Sequence, residues 1–498
     1  MGFRYTFGIA LFAAIGTFLF LYETPIQWTH RRRKSADTVY PDQYRATDKN
    51  KKVVAVYIAG EAVGALTQTF IGDKLGHIRF MQFMCVVVTV GTSIQTASVN
   101  IGMFLAGRAL AGYAVGGLVG TVPIYLSEVS APHQRGLIGG ISGCGIALGT
   151  MMSNWVGFAC SYAPYGPVQW RLPLSIQIPW GIILFIGLAT FMPNSPRQLL
   201  RIGMVDEARA AFLKIRRDYD LNESIEEFTL MKAQIEYEMR REVTSIREVF
   251  NLFKNRALVS IAVQTMTSLT GVNVIQYYQT AVYGTVAFLS NFITTLYLTD
   301  QWGRRKMILS GLSGVILVEI YAAVMQRTFQ NTNNQVGKGF SILGIYLFVV
   351  NYCKSPNQIY ILDILDTKGS RLDGMLNSTT WLYGAEVLPV SLRSKVMGLA
   401  SASHFIVNVG ITEAGPSAFA NIKENYYYVF VACTLFFLIV GYFYFPETKH
   451  KSLEEIATSF GDKVVGVSGS DFETEREVMA KQPAIQHVEA HSTASTTV

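Results

Sequence analysis

Carboxylates and guanidiniums recur in this chain at a fixed spacing. Glu128 precedes Arg135 by seven residues in "SEVSAPHQRG", and Glu386 precedes Arg393 by seven in "AEVLPVSLRSK". Asp73 in "FIGDKLGHIRFM" answers to Asp300, with Arg304 and Arg305 close behind it, in "YLTDQWGRRKMIL". Pro193 opens "PNSPR", and Pro446 opens "PETKH", which carries Glu447. Groups of opposite sign at such places can pair and unpair; they are not a constellation that makes or breaks bonds. No nucleophile motif and no phosphate-cradling loop accompanies them, so neither an enzyme nor a cofactor is expected. The cysteines (Cys85, Cys144, Cys160, Cys353 and Cys433) lack paired spacing, so neither a disulfide framework nor a metal site is expected.

Arg108 poses a different question, because it lies inside an apolar run. An intramembrane charge is costly, is usually paired, and marks function by default. The partner read from the sequence is Glu23 in "FLYETP". An adjacent Arg favours ionisation of a carboxylate while burial opposes it, and opposed influences make a group that can switch. A plain helix-end charge at Glu23 is the simpler alternative.

The elements that must hold these residues follow from composition. Half of the 498 residues are hydrophobic, and 15% are charged, against about 25% in a soluble chain. Apolar runs recur, many near the roughly 20 residues that cross a bilayer as a helix. The fold class expected is therefore an all-α membrane protein of twelve spans. They are read at about 6–22, 53–71, 80–97, 101–126, 137–160, 172–192, 257–278, 281–299, 307–326, 340–352 joined to 374–388, 396–418 and 426–445. The charged knots are water-facing turns between spans, since irregular backbone is not tolerated in lipid. The net charge of +7 then marks cytoplasmic loops, not nucleic-acid binding, and places both termini in the cytoplasm. The bilayer itself is an expected partner. "MGFRYT" matches a myristoylation pattern but reads better as the lead into the first helix.

The repeats divide the chain. Residues 1–192 are expected to form a six-helix bundle, 193–256 a charged cytoplasmic helical linker, 257–456 a second six-helix bundle, and 457–498 a disordered cytoplasmic tail. A duplicated six-helix unit implies a site between the halves near mid-membrane. Gly112, Gly116 and Gly120 fall four apart in "GRALAGYAVGGLVG", which lets another helix approach closely.

With "TDQWGRRK", "LTGVNVIQYY", "WLYGAEVLPVSLRSK" and "PETKHKSLEE" added, the chain resembles the sugar porter family of the major facilitator superfamily, in particular fungal hexose transporters. The resemblance covers about residues 6–456. It implies two six-helix bundles that rock about a central cavity and pass a hexose or related sugar by alternating access, in a monomer at the plasma membrane. It implies proton symport through Glu23 and Arg108. It implies sugar contacts from Asn273, Tyr277, Tyr278, Trp381 and Asn408. It also implies that Asp73, Glu128, Arg135, Asp300, Arg304, Arg305, Glu386, Arg393 and Glu447 form cytoplasmic ion pairs clasping the halves; topology alone is the plainer reading of these charges. Facilitated diffusion without protons and a non-transporting sugar sensor remain alternatives.

The chain departs from the family pattern in several places. His77 stands where the family has Arg and Asn194 where it has Glu, so a weaker first-half clasp is expected. The span-seven Gln pair is replaced by Thr267 and Ser268, and Ser142 and Gly143 occupy the region of the span-five Gln. The expected outer loop 29–52 is strongly basic, against the usual bias. Spans seven and eight leave almost no room for a turn. The charged segment 353–373 interrupts span ten and reads as an extruded loop or retained intron sequence. The N-x-S/T matches at Asn222 and Asn377 fall in regions not expected outside.

Overall fold

The computed structural model describes residues 4–31, 46–164, 166–217, 219–240, 246–272, 281–297, 303–329, 332–353, 376–390, 392–462 and 469–480. The first half comprises α1 (Arg4–Arg31), α2 (Ala46–Thr67), α3 (His77–Thr96), α4 (Ile101–Val129), α5 (Arg135–Cys160), and a sixth span made of α6 (Val168–Ser175) and α7 (Gln177–Thr190). A linker module follows, with α8 (Pro196–Arg201), α9 (Val205–Ile215) and α10 (Leu221–Met239). The second half comprises α11 (Ile246–Leu269), α12 (Ala281–Tyr297), α13 (Arg304–Phe329), α14 (Gln335–Cys353), α15 (Leu376–Glu386), α16 (Arg393–Asn421) and α17 (Tyr426–Tyr444). Two further helices are α18 (Leu453–Ser459) and α19 (Gly469–Ala480).

Among the described residues, seven helical stretches are long and apolar enough to cross a bilayer, and two shorter ones are apolar. With α11, the pair α14 and α15, and α16, they account for twelve spans. α4 and α5 are the most enclosed, while α7 and α17 carry outward residues such as Ile186, Phe436 and Phe443. That gradient suits a bundle whose rim meets lipid.

Glycine explains how α2 and α4 come so close. A Cβ at Gly112 would stand 2.2 Å from the Tyr57 carbonyl oxygen, and one at Gly116 would stand 2.0 Å from that of Glu61. Side chains there would drive the two backbones apart. The halves meet through α2 against α16 and α5 against α12. On the second seam, Trp155 Nε1 donates to Thr285 Oγ1 at 2.8 Å, and the Cys144 thiol donates to Asn291 Oδ1 at 3.3 Å.

Local signals set the helix ends. Asn100 Oδ1 accepts from the Met103 amide and opens α4; Ser452 and Glu455 form a reciprocal capping box on α18. α11 bends at Phe253, where φ and ψ are −121° and 26°, separating its linker-side end from its span.

Two expectations need correction. The basic loop of 29–52 is partly helical, since α1 runs to Arg31 and α2 starts at Ala46; Ala, Lys and Arg are good helix formers. The tail of 457–498 is not disordered throughout. α18 includes residues 457–459, and α19 packs on α10. Arg209 Nη2 lies 3.0 Å from Glu475, Lys232 pairs with the same carboxylate, and Met479 is buried. These contacts offset the ordering cost that the polar composition alone could not.

Candidate functional site

Two matching polar clusters sit at the linker end of the halves. In the first, the Tyr125 hydroxyl donates to the Pro193 carbonyl at 2.8 Å, and Ser195 Oγ donates to Glu128 Oε2 at 2.5 Å. In the second, the Tyr383 hydroxyl donates to the Pro446 carbonyl at 2.8 Å, and Thr448 Oγ1 donates to Glu386 Oε2 at 2.7 Å. Each Tyr lies three residues before its Glu, and each hydroxyl residue two after its Pro. His77 Nε2 lies 3.2 Å from Glu128, and Arg304 Nη2 lies 3.6 Å from Glu386.

The helices carrying His77 and Arg304 start alike. Gly76 and Gly303 precede them at φ of +87° and +91°, where a side chain is strained. The His77 amide donates to Gln198 Oε1 at 3.0 Å, and the Arg304 amide donates to Glu447 Oε1 at 2.8 Å. Gln198 thus does in the first half what Glu447 does in the second, and Asn194 does not.

Three arginines reach across the halves. Arg393 Nη1 pairs with Glu128 at 3.1 Å, with both side chains buried. Arg135 Nη1 donates to the Lys451 carbonyl at 3.1 Å, in the field of Glu386. Arg197 Nη1, on α8, pairs with Glu454 on α18 at 2.6 Å. Burial pushes the Glu454 carboxyl up, but the Arg197 guanidinium and its hydrogen bond outweigh that and hold it at about 2.

The sequence-predicted clasp residues therefore divide. Of the residues predicted for the clasp, Glu128 and Arg393 form an ion pair between the halves, and Arg135 crosses to a backbone carbonyl. Asp73 pairs with Arg201 at 2.8 Å, within the first half and the linker. Arg305 donates to the Tyr442 carbonyl at 2.6 Å, and Glu447 accepts backbone amides; both stay within the second half. Asp300 lies outside the described residues. The expected weakness of the first-half clasp is not what the geometry shows, because Glu128 gathers His77, Ser195 and Arg393. Sequence reasoning missed Ser195, Thr448, Gln198 and the Arg197–Glu454 pair; the Pro-x-Ser and Pro-x-Thr echo was the available signal.

Deeper in, a small pocket lies between the halves. Pro123, Gly139, Ser142, Gly143 and Ile146 line it from the first half, Trp381 and Leu382 from the second. Trp381 is fixed by an edge-on contact with His404, ring centroids 5.3 Å apart. Ser268 Oγ lies 2.9 Å from His404 Nδ1 and also donates to the His404 carbonyl at 2.8 Å. So a residue standing where the family has Gln fixes the imidazole behind the indole. His404 was not singled out from sequence. Asn408, one turn beyond it on α16, is buried, and its Oδ1 accepts from Thr412 at 3.2 Å; it is not among the pocket's lining residues.

Asn273, Tyr277 and Tyr278 lie outside the described residues, as does the side chain of Glu23. Arg108 is buried, its guanidinium carbon 5.5 Å from the ring centre of Tyr57 and 5.4 Å from that of Phe104. These faces favour a cation.

Comparison with known proteins agrees with this architecture. The sequence profile of the "Sugar (and other) transporter" family matches residues 9–366 and 375–460; its break falls in the segment that interrupts span ten. The MFS-type transporter criB of Aspergillus cristatus is 28% identical over 93% of this chain and 95% of its own. The low-affinity glucose transporter HXT3 of Saccharomyces cerevisiae is 28% identical over 83% and 73%. The galactose transporter of the same yeast is 27% identical over 90% and 80%. Among solved structures, the proton:xylose symporter XylE bound to 6-bromo-6-deoxy-D-glucose superposes with a TM-score of 0.78 at 17% identity, covering 92% of this chain and all of that one. The inward-open form of XylE from E. coli superposes with a TM-score of 0.65 at 18% identity, covering 91% of this chain and all of that one. The chain is a multi-pass membrane protein of the major facilitator fold, and it belongs to the sugar (and other) transporter family.

Proposed function

We propose that this protein carries a hexose or related sugar across the plasma membrane by alternating access, in symport with a proton. The observation that carries the reading is the paired arrangement of Glu128 and Glu386 at one end of an inter-half pocket walled by Trp381. One end is clasped by groups that can part, and the pocket lies beyond it. An indole face suits the CH face of a sugar ring, and Ser142 supplies a hydroxyl partner. The linker end is read as cytoplasmic from its basic excess. Arg108 and Glu23 are the proposed proton pair, Asn273, Tyr277, Tyr278 and Asn408 the further sugar contacts. The clasp residues bias the closed state jointly, since a conformational switch needs a few kcal/mol. The protein is proposed to work as a monomer.

The test is radiolabelled hexose uptake in a transporter-deficient host, with the chain as written and with 353–373 deleted. Uptake that collapses with an uncoupler, and in Glu23→Gln, supports symport. Uptake indifferent to both means facilitated diffusion. No uptake from either chain, with both at the cell surface, means a sensor.

A further inference from the structure

One buried acid has no part in the clasp or in the Glu23–Arg108 pair. Glu319 lies in α13, fifteen residues past Arg304, which at 1.5 Å per residue is about 22 Å along the helix and well inside the membrane. It is 1% exposed, and among the described residues neither carboxyl oxygen has a hydrogen-bond partner. An ionised carboxylate left so would be far too costly to bury.

Its surroundings are specific. The Cβ position of Gly271 is 3.3 Å from Glu319 Oε1 and 2.9 Å from the Phe430 ring. Gly271 has φ of +71° and stands two residues before Asn273, in the "GVN" segment assigned to the sugar. Thr434 lies one turn past Phe430 on α17; its hydroxyl is also buried, with no partner among the described residues. α13 packs against α17, α14, α15 and the turn Lys423–Asn425. The described titratable groups of these elements include Tyr426, Tyr428, Cys433, Tyr442 and Tyr444 on α17, Lys338 and Tyr346 on α14, Tyr383 and Glu386 on α15, and Lys423 and Glu424 in the turn. Of these, Cys433 is the one in electrostatic contact with it, and among the described residues no charged side chain is paired with the carboxyl.

We propose that Glu319 is a proton-carrying site of the second half, loaded as the neutral acid while the Gly271 turn covers it. A proton from water on the open side forms an O–H bond at one carboxyl oxygen, and the carboxylate's charge is cancelled. Only then can the turn close over it without water. When the turn lifts and water returns, the O–H bond breaks and the proton leaves to water. The proton thereby gates the segment that leads into the sugar contacts. This rests on the transport reading above, but the protonation itself does not.

Two measurements on the full-length protein in proteoliposomes test it. Infrared spectra at neutral pH should show a protonated-carboxyl band that Glu319→Gln removes. With an imposed proton gradient, Glu319→Gln should concentrate labelled hexose at least about tenfold less than the parent, while counterflow exchange stays within about twofold. Glu319→Asp, which can still titrate, should keep a carboxyl band and coupled accumulation, and decides the matter if the Gln variant does not reach the membrane. A band unchanged in Glu319→Gln, or parental accumulation by that variant, overturns the proposal. If the parent accumulates nothing, the symport reading fails, and the band alone decides whether Glu319 holds a proton.

Discussion

Gln198 and Glu447 hold equivalent posts in the two halves: each accepts a hydrogen bond from the first amide of a helix that follows a left-handed glycine. One carries a charge and the other does not. Glu447 also accepts from the Thr448 and Lys449 amides, at 2.9 Å and 3.0 Å. Gln198→Ala should leave the His77 amide without its acceptor and cost about 1 kcal/mol. Glu447→Ala should cost more, because it strips several amides of a charged acceptor. Thermal unfolding of the two purified variants in detergent checks the order.

Removing Arg393 leaves Glu128 buried beside His77 and Ser195 with no fixed positive charge from the other half. Arg393→Ala should destabilise the linker-side-closed state by about 3–5 kcal/mol, as for any broken buried pair. A cysteine introduced at Ser401, which is buried on α16, should then label faster from the linker side. An unchanged labelling rate would show that Arg393 does not hold the halves together.

The Arg197–Glu454 pair makes closure depend on pH. The Glu454 carboxyl is held at about 2 when paired, against 4.5 free. The separated state therefore binds the proton more readily. Its contribution is present in full above about 4.5, and it fades as pH falls toward about 2. Lowering the pH on the linker side should promote opening there, and Glu454→Gln should flatten that response. Site-directed fluorescence quenching across α8 and α18 over this range reads it.

The pocket wall offers a direct test of the sugar site. Trp381→Ala should raise the KM for hexose by roughly tenfold, and Trp381→Phe by less. Ser268→Ala, which touches the pocket only through His404, should shift KM in the same direction but less strongly. Uptake kinetics at matched surface expression separate binding from loss of protein.

Close helix contact should be unforgiving. Gly116→Val would force a side chain onto the Glu61 carbonyl oxygen, already 2.0 Å from a bare Cβ. Folded protein should fall sharply, whereas Gly203→Val, with open space around its Cβ position, should cost only the strain of its positive φ. Fluorescence size-exclusion profiles distinguish the two.

Much of the frame could be read from residue order. Apolar runs of bilayer length announce spans, and the Asp73/Asp300 and Glu128/Glu386 echoes announce the duplication. What escaped reading was partnership. A charge count cannot tell that Asp73 pairs with Arg201 of its own side while Glu128 pairs across, because facing depends on how the helices rotate. Ser268 looked like the loss of an amide; its bond to His404 shows only when α11 and α16 lie side by side. Glu319 was visible as one acid in "GVILVEIYAAVM", yet its isolation is a property of three packed elements, not of the run.

The α19 helix returns from the second half to lean on α10, tethered by Glu475 to Arg209 and Lys232. The last described helix is thus tied to the middle of the molecule, not to the bundle from which it emerges. A fluorescent protein fused behind it would report on the linker's movements, and trimming the chain at 468 to ease purification would cut that leash and bare a socket shaped for Met479.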